Sequence, residues 1–129
     1  MSTRYASETI RRLDRRAQHE GSSRSALIQR YVAEGLEMDE NPGLVFRSGP
    51  AGRRPGLVNG PDVWEVVAVF RSFEDVRRTA DWLDQSTSAI ETALRYYETH
   101  RAEIDDWIRR NEEAAEAAER VARARQAAS

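Results

Sequence analysis

At 129 residues and 14.7 kDa the chain has the size of one ordinary domain or of two very small ones, which leaves little room for an elaborate catalytic cleft. Its content of 40% hydrophobic and 33% charged residues, without an apolar run of spanning length, argues against a membrane protein. Because the chain has no cysteine and its start, MSTRYASETIRR, is too polar for a signal peptide, we expect a cytoplasmic protein without disulfides or cysteine-ligated metals.

Charge is divided unevenly along the chain. Residues 1–35 carry seven arginines and four acidic residues, a net charge of +3, whereas the rest carries thirteen arginines and eighteen acidic residues, a net charge of −5. The stretch 41–61 contains all four prolines and most of the glycines, so no long helix crosses it. We therefore predict a domain at 1–40, a hairpin or linker at 41–61, a helical domain at 62–110 and a helical tail at 111–129.

The first domain is predicted to form a short strand followed by two helices. Alternation over Ser2 to Ala6 is compatible with a strand, and Ser7 is positioned to cap a helix that Gly21 ends. A second helix starts at the serine cluster of residues 22–25 and runs to about Met38. The apolar residues of these helices, Ile10, Leu13, Ala17, Leu27, Ile28, Tyr31, Val32 and Leu36, offer too small a core for an isolated piece of this length. Pairing of two chains, strand to strand and helix to helix, would solve this problem.

The remainder is predicted to be helical after a small hairpin that pairs residues 44–46 with 56–58. Three capping-box spacings, Asp62–Glu65, Ser72–Asp75 and Ser88–Glu91, indicate three short helices in a trihelical, helix-turn-helix-like bundle. A fourth helix begins near Thr99 and continues into an Ala-, Glu- and Arg-rich tail, which either projects or frays until a partner binds. The predicted fold class is thus mainly α, with an N-terminal dimerisation unit, a glycine-rich hairpin and a helical bundle.

The segments STRYA, SETIRRLDRRAQHEG and SSRSALIQRYVAEGLEM together resemble the ribbon-helix-helix family of Arc- and CopG-like DNA-binding proteins. This resemblance implies a homodimer whose two-stranded ribbon enters the major groove while the start of the second helix contacts phosphate. By alternation, Ser2 and Arg4 would face DNA and Thr3 and Tyr5 the core. The implied phosphate contacts are Ser22, Ser23, Arg24 and Ser25, and Leu13, Leu27, Ile28, Tyr31 and Val32 join Thr3 and Tyr5 in the dimer interface.

Residues 43–108, from GLVFRSGPAGRRPGLVNGPDVWEVV to YYETHRAEIDDWI, look like the small helical domain of VapB-type antitoxins. This resemblance implies that the chain binds and inhibits a PIN-like ribonuclease toxin and represses its own operator. Arginines of the tail are candidates for displacing metal or carboxylate contacts in such a nuclease. The predicted toxin-binding residues are Trp107, Arg109, Arg110, Arg120, Arg123 and Arg125, whereas Trp64 and Trp82 are expected in the core.

Several alternatives stay open. The first domain could be a helical hairpin that oligomerises without touching DNA, with its arginines as a solvated face. The helix at 86–97 occupies the place of a recognition helix, but its glutamates oppose a phosphate backbone. His19 and His100 have no partner at a metal-binding spacing, Asp105 and Asp106 point apart on a helix, and GPAGRRPG lacks the phosphate-loop pattern. We therefore predict no enzymatic activity, no metal and no cofactor.

Overall fold

The computed structural model describes residues 4–129, and the chain divides into two compact units, Met1–Glu40 and Asn41–Ser129. The described part is mainly helical, as predicted, and has one small antiparallel sheet. The elements are α1 (Ser7–Glu20), α2 (Arg24–Glu40), β1 (Leu44–Gly49), β2 (Gly52–Leu57), α3 (Val63–Phe73), α4 (Val76–Leu83), α5 (Thr87–Thr99) and α6 (Arg101–Ala128). Within residues 4–129, no helix combines the length and the apolar character needed to cross a membrane.

The first unit consists of α1 and α2, joined by a tight turn. Gly21 adopts a φ of 68°, and the amides of Gly21 and Ser22 donate to Gln18 and Ala17 in a Schellman arrangement that ends α1 as predicted. Among the described residues of this unit, Ala17 and Leu27 are the buried apolar ones. Two helices with so small a core bury little of the surface that a stable domain needs.

The hairpin of β1 and β2 opens the second unit, as predicted, although residues 44–46 face residues 55–57 and not 56–58. Leu44 opposes Leu57 and Phe46 opposes Pro55, and the register continues beyond the predicted segment to Gly49 opposite Gly52. Val58, which was predicted within the second strand, lies just after it, and its amide donates to the Gly43 carbonyl at 3.0 Å. The segment 41–61 is therefore not a linker, because it belongs to the same compact unit as the helices that follow.

Helices α3, α5 and the start of α6 surround the core of the second unit. Val63, Val66, Ile90 and Ile104 are fully buried there, and Leu44 and Leu57 add the inner face of the hairpin. Burial of this many branched aliphatic side chains favours a closed unit, since each contributes about 1.5 to 3 kcal/mol when fully buried.

The starts of α1, α4 and α5 differ from the predicted caps. The Ser86 and Asp75 side chains accept the amides of Ala89 and Arg78, so α5 starts earlier and α4 later than predicted. Ser72 lies inside α3, and Ala6 rather than Ser7 occupies the cap position of α1. Asp62 occupies the cap position of α3, as predicted, but makes no side-chain cap bond, because its carboxylate binds arginines instead.

Trp82 does not lie in the core, and that expectation was wrong. Its side chain on α4 is 71% exposed and contacts Phe73 edge to face at a centroid distance of 5.7 Å. The Arg78 guanidinium covers Phe73 at 4.6 Å, so this aromatic pair lies at the surface beside a cation. Trp64, in contrast, packs partly buried against the core.

Helix α6 begins in the core and continues beyond it. Ile104, Trp107 and Ile108 are buried, whereas every residue from Arg109 to the end of the helix is exposed except the half-buried Ala117. Pairs one helical turn apart, Arg109 with Glu113 and Arg123 with Glu119, support the exposed part. The tail is therefore a continuous projecting helix, one of the two predicted alternatives.

Candidate functional site

The arginines of α1 form the basic surface of the first unit. Arg16 pairs with Glu20 at 3.0 Å, whereas Arg11, Arg12 and Arg15 are exposed and form no ion pair with any residue from 4 to 129. The end of α2 adds Glu37, Asp39 and Glu40, so the whole unit Met1–Glu40 has seven arginines and seven acidic residues. The net positive charge of residues 1–35 is thus cancelled by the acidic end of α2 over the complete unit.

The start of α2 carries the four residues predicted to contact phosphate. The Ser23 hydroxyl accepts the Ala26 amide at 3.1 Å and so caps the helix, while Ser22 and Ser25 are exposed. Both nitrogens Nε and Nη2 of Arg24 lie 2.7 Å from the two carboxylate oxygens of Asp14. The hydrogen bond from Arg24 lowers the pKa of Asp14 below its ordinary value. Arg24 is therefore already engaged within the chain, and a phosphate would compete with Asp14 for it.

The predicted strand lies partly outside the described residues. Ser2 and Thr3 belong to that part, and Arg4 and Tyr5 are exposed residues without regular secondary structure. A two-stranded ribbon needs a second chain, so a single chain neither forms nor excludes it.

One side of α2 exposes large apolar side chains. Val32 and Leu36 are 55% and 56% exposed, and Tyr31 is nearly as accessible. Leu27 is buried within the chain, and Leu13 and Ile28 are half-buried. Beside Tyr31 and Leu13 lies an open groove of about 610 Å³, lined on the α1 side by Arg12, Arg15, Arg16 and His19. The predicted dimer residues therefore include one core residue and a set of accessible ones.

The tail residues predicted to bind a toxin differ in their surroundings. Arg109 and Arg110 both pair with Asp106, and Arg123 pairs with Glu119. Arg120 and Arg125 are exposed and form no ion pair with any described residue. These two guanidinium groups are the tail cations that a partner can bind without first displacing an ion pair of the chain.

Trp107 was expected to be an exposed partner anchor, and the structure places it differently. Its side chain is only 9% exposed because it packs against the hairpin turn, where a Cβ built on Gly52 would lie 3.7 Å from the indole ring. The Arg110 guanidinium lies over the ring, 4.0 Å from its centroid. Trp82 is the accessible indole of the chain instead.

Trp107 lines an open groove of about 530 Å³ that we call the tryptophan groove. Its walls come from the hairpin turn, the start of α3 and α6, and include Pro50, Ala51, Trp64, Glu65, Trp107 and Arg110. Arg110 of α6 donates to the Ala51 carbonyl of the hairpin turn, and the Trp64 indole donates locally to Asp62 at 3.3 Å.

Asp62 is the centre of an arginine cluster behind this groove. Its carboxylate accepts from Arg47 Nη1 at 3.0 Å and from Arg54 Nε at 2.5 Å. The register places Arg47 directly opposite Arg54 in the hairpin, where two like charges would repel each other without the carboxylate between them. The sequence did not predict this cluster, because pairing residues 44–46 with 56–58 would place Arg47 opposite Pro55, whereas the observed register places it opposite Arg54.

Glu65 differs from Asp62 in its surroundings. It lines the groove, is half-buried and forms no ion pair with any described residue. Its pKa is raised above the ordinary value of a glutamate, mainly because burial disfavours the charged form, and a backbone hydrogen bond from Asp62 opposes this shift.

No group of three metal-ligating side chains occurs within residues 4–129. Comparisons with family models, with curated proteins and with solved structures found no match to the chain.

Proposed function

We propose that the chain is the antitoxin of a type II toxin–antitoxin pair. In this proposal two copies of the first unit form a ribbon-helix-helix dimer that binds operator DNA. The second unit, a hairpin followed by a trihelical, helix-turn-helix-like bundle, carries the projecting tail that neutralises a PIN-like ribonuclease.

The observation that carries the proposal is the unpartnered apolar side of α2. Val32 and Leu36 are more than half exposed on a unit whose described core contains only Ala17 and Leu27 as buried apolar residues. A surface of this kind on so small a unit favours association with a second copy, which buries the face and completes the core.

DNA binding is supported by the start of α2 and by the arginines of α1. The first amides of α2 point away from the helix, and Ser22 and Ser25 are accessible beside them. In this proposal Arg24 exchanges Asp14 for a phosphate, and Arg4 from the ribbon reads a base.

Toxin binding is supported by the tail. Its helix is exposed from Arg109 onward, and Arg120 and Arg125 have no ion-pair partner among the described residues. An isolated helix of this kind buries almost nothing, so it gains most when a partner covers it.

One observation favours a second candidate, an oligomerisation module that binds no DNA. The equal numbers of arginines and acidic residues in Met1–Glu40, together with the Arg24–Asp14 pair, weaken the attraction to a phosphate backbone.

A titration of the full-length chain with a labelled duplex from upstream of its own gene separates the two candidates. Fluorescence anisotropy at several salt concentrations should show saturable binding, and Arg24→Ala should lower the slope of log K against log salt by about one. Asp14→Asn, which frees Arg24, should strengthen binding to operator and random duplexes alike. Binding that is absent at low salt, or unaffected by both substitutions, would reject the DNA-binding proposal and leave the oligomerisation module.

Inhibition of the toxin is tested separately. The proposal expects a PIN-like ribonuclease gene next to this gene, and its product is assayed on RNA with the full chain and with a chain that ends at Asn111. We expect inhibition by the first and loss of inhibition by the second; equal inhibition by both would exclude the tail as the inhibitory element.

A further inference from the structure

The open groove beside α1 in the first unit combines apolar and basic residues, and we call it the basic groove. Its volume is about 610 Å³, and its lining includes the apolar or aromatic Leu13 and Tyr31 and the basic Arg12, Arg15, Arg16 and His19. The four basic residues follow one another at intervals of up to one turn, so they share one side of α1. No carboxylate belongs to the lining. The groove therefore fits an occupant that is partly apolar and negatively charged.

The basic charges of this groove are only partly satisfied within the chain. Arg16 pairs with Glu20 at 3.0 Å, whereas Arg12 and Arg15 form no ion pair with any residue from 4 to 129. Glu8 lies one turn before Arg12, but it forms no ion pair with a described residue and does not line the groove. Two guanidinium groups are thus available to carboxylates from outside the chain.

The exposed apolar side of α2 ends in carboxylates. Asp39 lies seven residues, or about two turns, after Val32, and Glu40 lies one turn after Leu36. All four side chains are exposed, and the two carboxylates form no ion pair with any described residue. This side of α2 therefore complements the basic groove both in its apolar part and in its charge.

The stability of α2 itself does not account for its acidic end. The last turn carries Glu37, Asp39 and Glu40 and no basic residue. Carboxylates at a helix C-terminus oppose the helix dipole, which favours cations there. A cationic neighbour from outside the helix would therefore stabilise this end.

We propose that the basic groove of each copy receives the apolar, acid-ended side of α2 from the second copy. This pairing rests on the proposed dimer of the first unit and specifies the contacts that hold it. The apolar residues of both surfaces pack together, and the carboxylates of α2 pair with the guanidinium groups of Arg12 and Arg15. The two surfaces match in length, because Arg12 to His19 and Val32 to Asp39 each span seven residues, or about 10 Å. Each copy carries both surfaces, so the exchange is reciprocal, as a two-fold dimer requires.

A second copy fits the basic groove better than nucleic acid does. A phosphate backbone would satisfy Arg12 and Arg15 but would leave the apolar residues of both surfaces in contact with water. The seven arginines and seven acidic residues of Met1–Glu40 also balance one another. A neutral unit with separated charges favours association with itself over binding of a polyanion.

Charge reversals in the full chain test the pairing. One variant, Arg12→Glu with Arg15→Glu, makes the groove acidic, and the other, Asp39→Arg with Glu40→Arg, makes the end of α2 basic. Each variant alone places like charges against each other, so we expect its dimer to be at least about tenfold weaker than that of the wild type in sedimentation at low salt. An equimolar mixture restores opposite charges at both contacts and should form a heterodimer about as stable as the wild-type dimer. This rescue would also show that both variants fold.

Arg11→Glu is the matched control, because it reverses a charge of α1 outside the lining of the groove and should leave the dimer unchanged. Two variants that dimerise as the wild type does, or a mixture that stays monomeric, would overturn this pairing but not the proposed dimer. A monomeric wild type would overturn both. Loss of DNA binding by the variant with the acidic groove, with its dimer unchanged, would assign the groove to phosphate and would also contradict the pairing.

Discussion

The two units of the chain differ in how completely they bury their apolar side chains. The second unit closes a core around Val63, Ile90 and Ile104, which leave no surface to solvent. The first unit leaves Val32 and Leu36 on the outside of α2, although α1 and α2 have the same helical regularity as the later helices. Regular secondary structure is therefore no measure of a completed core, and we expect the stability of the first unit, but not of the second, to depend on association.

The largest effect should come from a cavity in the core of the second unit. Ile104→Ala removes a fully buried side chain and should lower the free energy of unfolding by about 2 to 5 kcal/mol, whereas Ile104→Val should lower it by about 0.5 to 1.5 kcal/mol. Urea unfolding of this unit at two protein concentrations measures both. The midpoint for this unit should not change with concentration, and a shift on dilution would show that its core is also completed by association.

The next largest effect should come from the arginine cluster. Asp62→Ala leaves Arg47 and Arg54 facing each other without a carboxylate, which should cost about 2 to 3 kcal/mol. This value is lower than for a fully buried ion pair, because both arginines keep partial contact with solvent. Asp81→Ala, at an exposed position on α4, is the matched control. Thermal unfolding that is equal for the two variants would show that Asp62 is not needed to hold the hairpin arginines.

The core of the second unit and the arginine cluster also show which features of the fold follow from the sequence. The helices, the stop at Gly21 and the presence of the hairpin follow from local signals, namely periodicity, a glycine in the left-handed region and a Gly- and Pro-rich turn. The caps of α4 and α5 did not follow, because Asp75 and Ser86 cap these helices without the Glu or Gln three residues later that the capping-box rule requires. Asp62 occupies the predicted cap position of α3, but its carboxylate is used by arginines that are distant in sequence.

The tryptophans show a second limit of sequence reasoning. Trp82 lies within an apolar pattern and is exposed, whereas Trp107 lies in a charged helix and is buried. Burial of a side chain depends on what the neighbouring elements cover, and the hairpin turn covers Trp107 while no described element covers Trp82. The tryptophan groove could not be predicted for the same reason, since its walls come from three elements that are separated along the chain.

A smaller change in free energy should come from a charge on the exposed apolar side of α2, and it should be visible as a loss of the dimer. Val32→Glu places a charge on the apolar side of α2 and should shift the full chain from dimer to monomer in sedimentation at micromolar concentration. Ala33→Glu adds the same charge at an exposed position about 100° around the helix and should leave the dimer intact. Wild type that sediments as a monomer, or equal behaviour of both variants, would contradict an interface on this side of α2.

The smallest effect concerns the pH dependence of the second unit. Because the pKa of Glu65 is raised in the folded state, the folded chain binds more protons than the unfolded chain between the ordinary value of 4.5 and the raised value. The contribution of Glu65 to stability therefore falls as pH rises through this window. Glu65→Gln should therefore change the melting temperature more favourably at pH 7 than at pH 4, by a small amount. A more favourable change at pH 4 than at pH 7 would contradict a desolvated carboxylate.

Hydrogen exchange at two protein concentrations tests most directly whether the first unit, but not the second, depends on association. Amide protection is measured by mass spectrometry for the full chain well above and well below the concentration at which it dissociates. We predict that α1 and α2 lose protection on dilution because their core is completed by a second copy, while α3, α5 and the start of α6 keep theirs. Protection of α1 and α2 that is the same at both concentrations, in a chain that sediments as a monomer, would contradict the account.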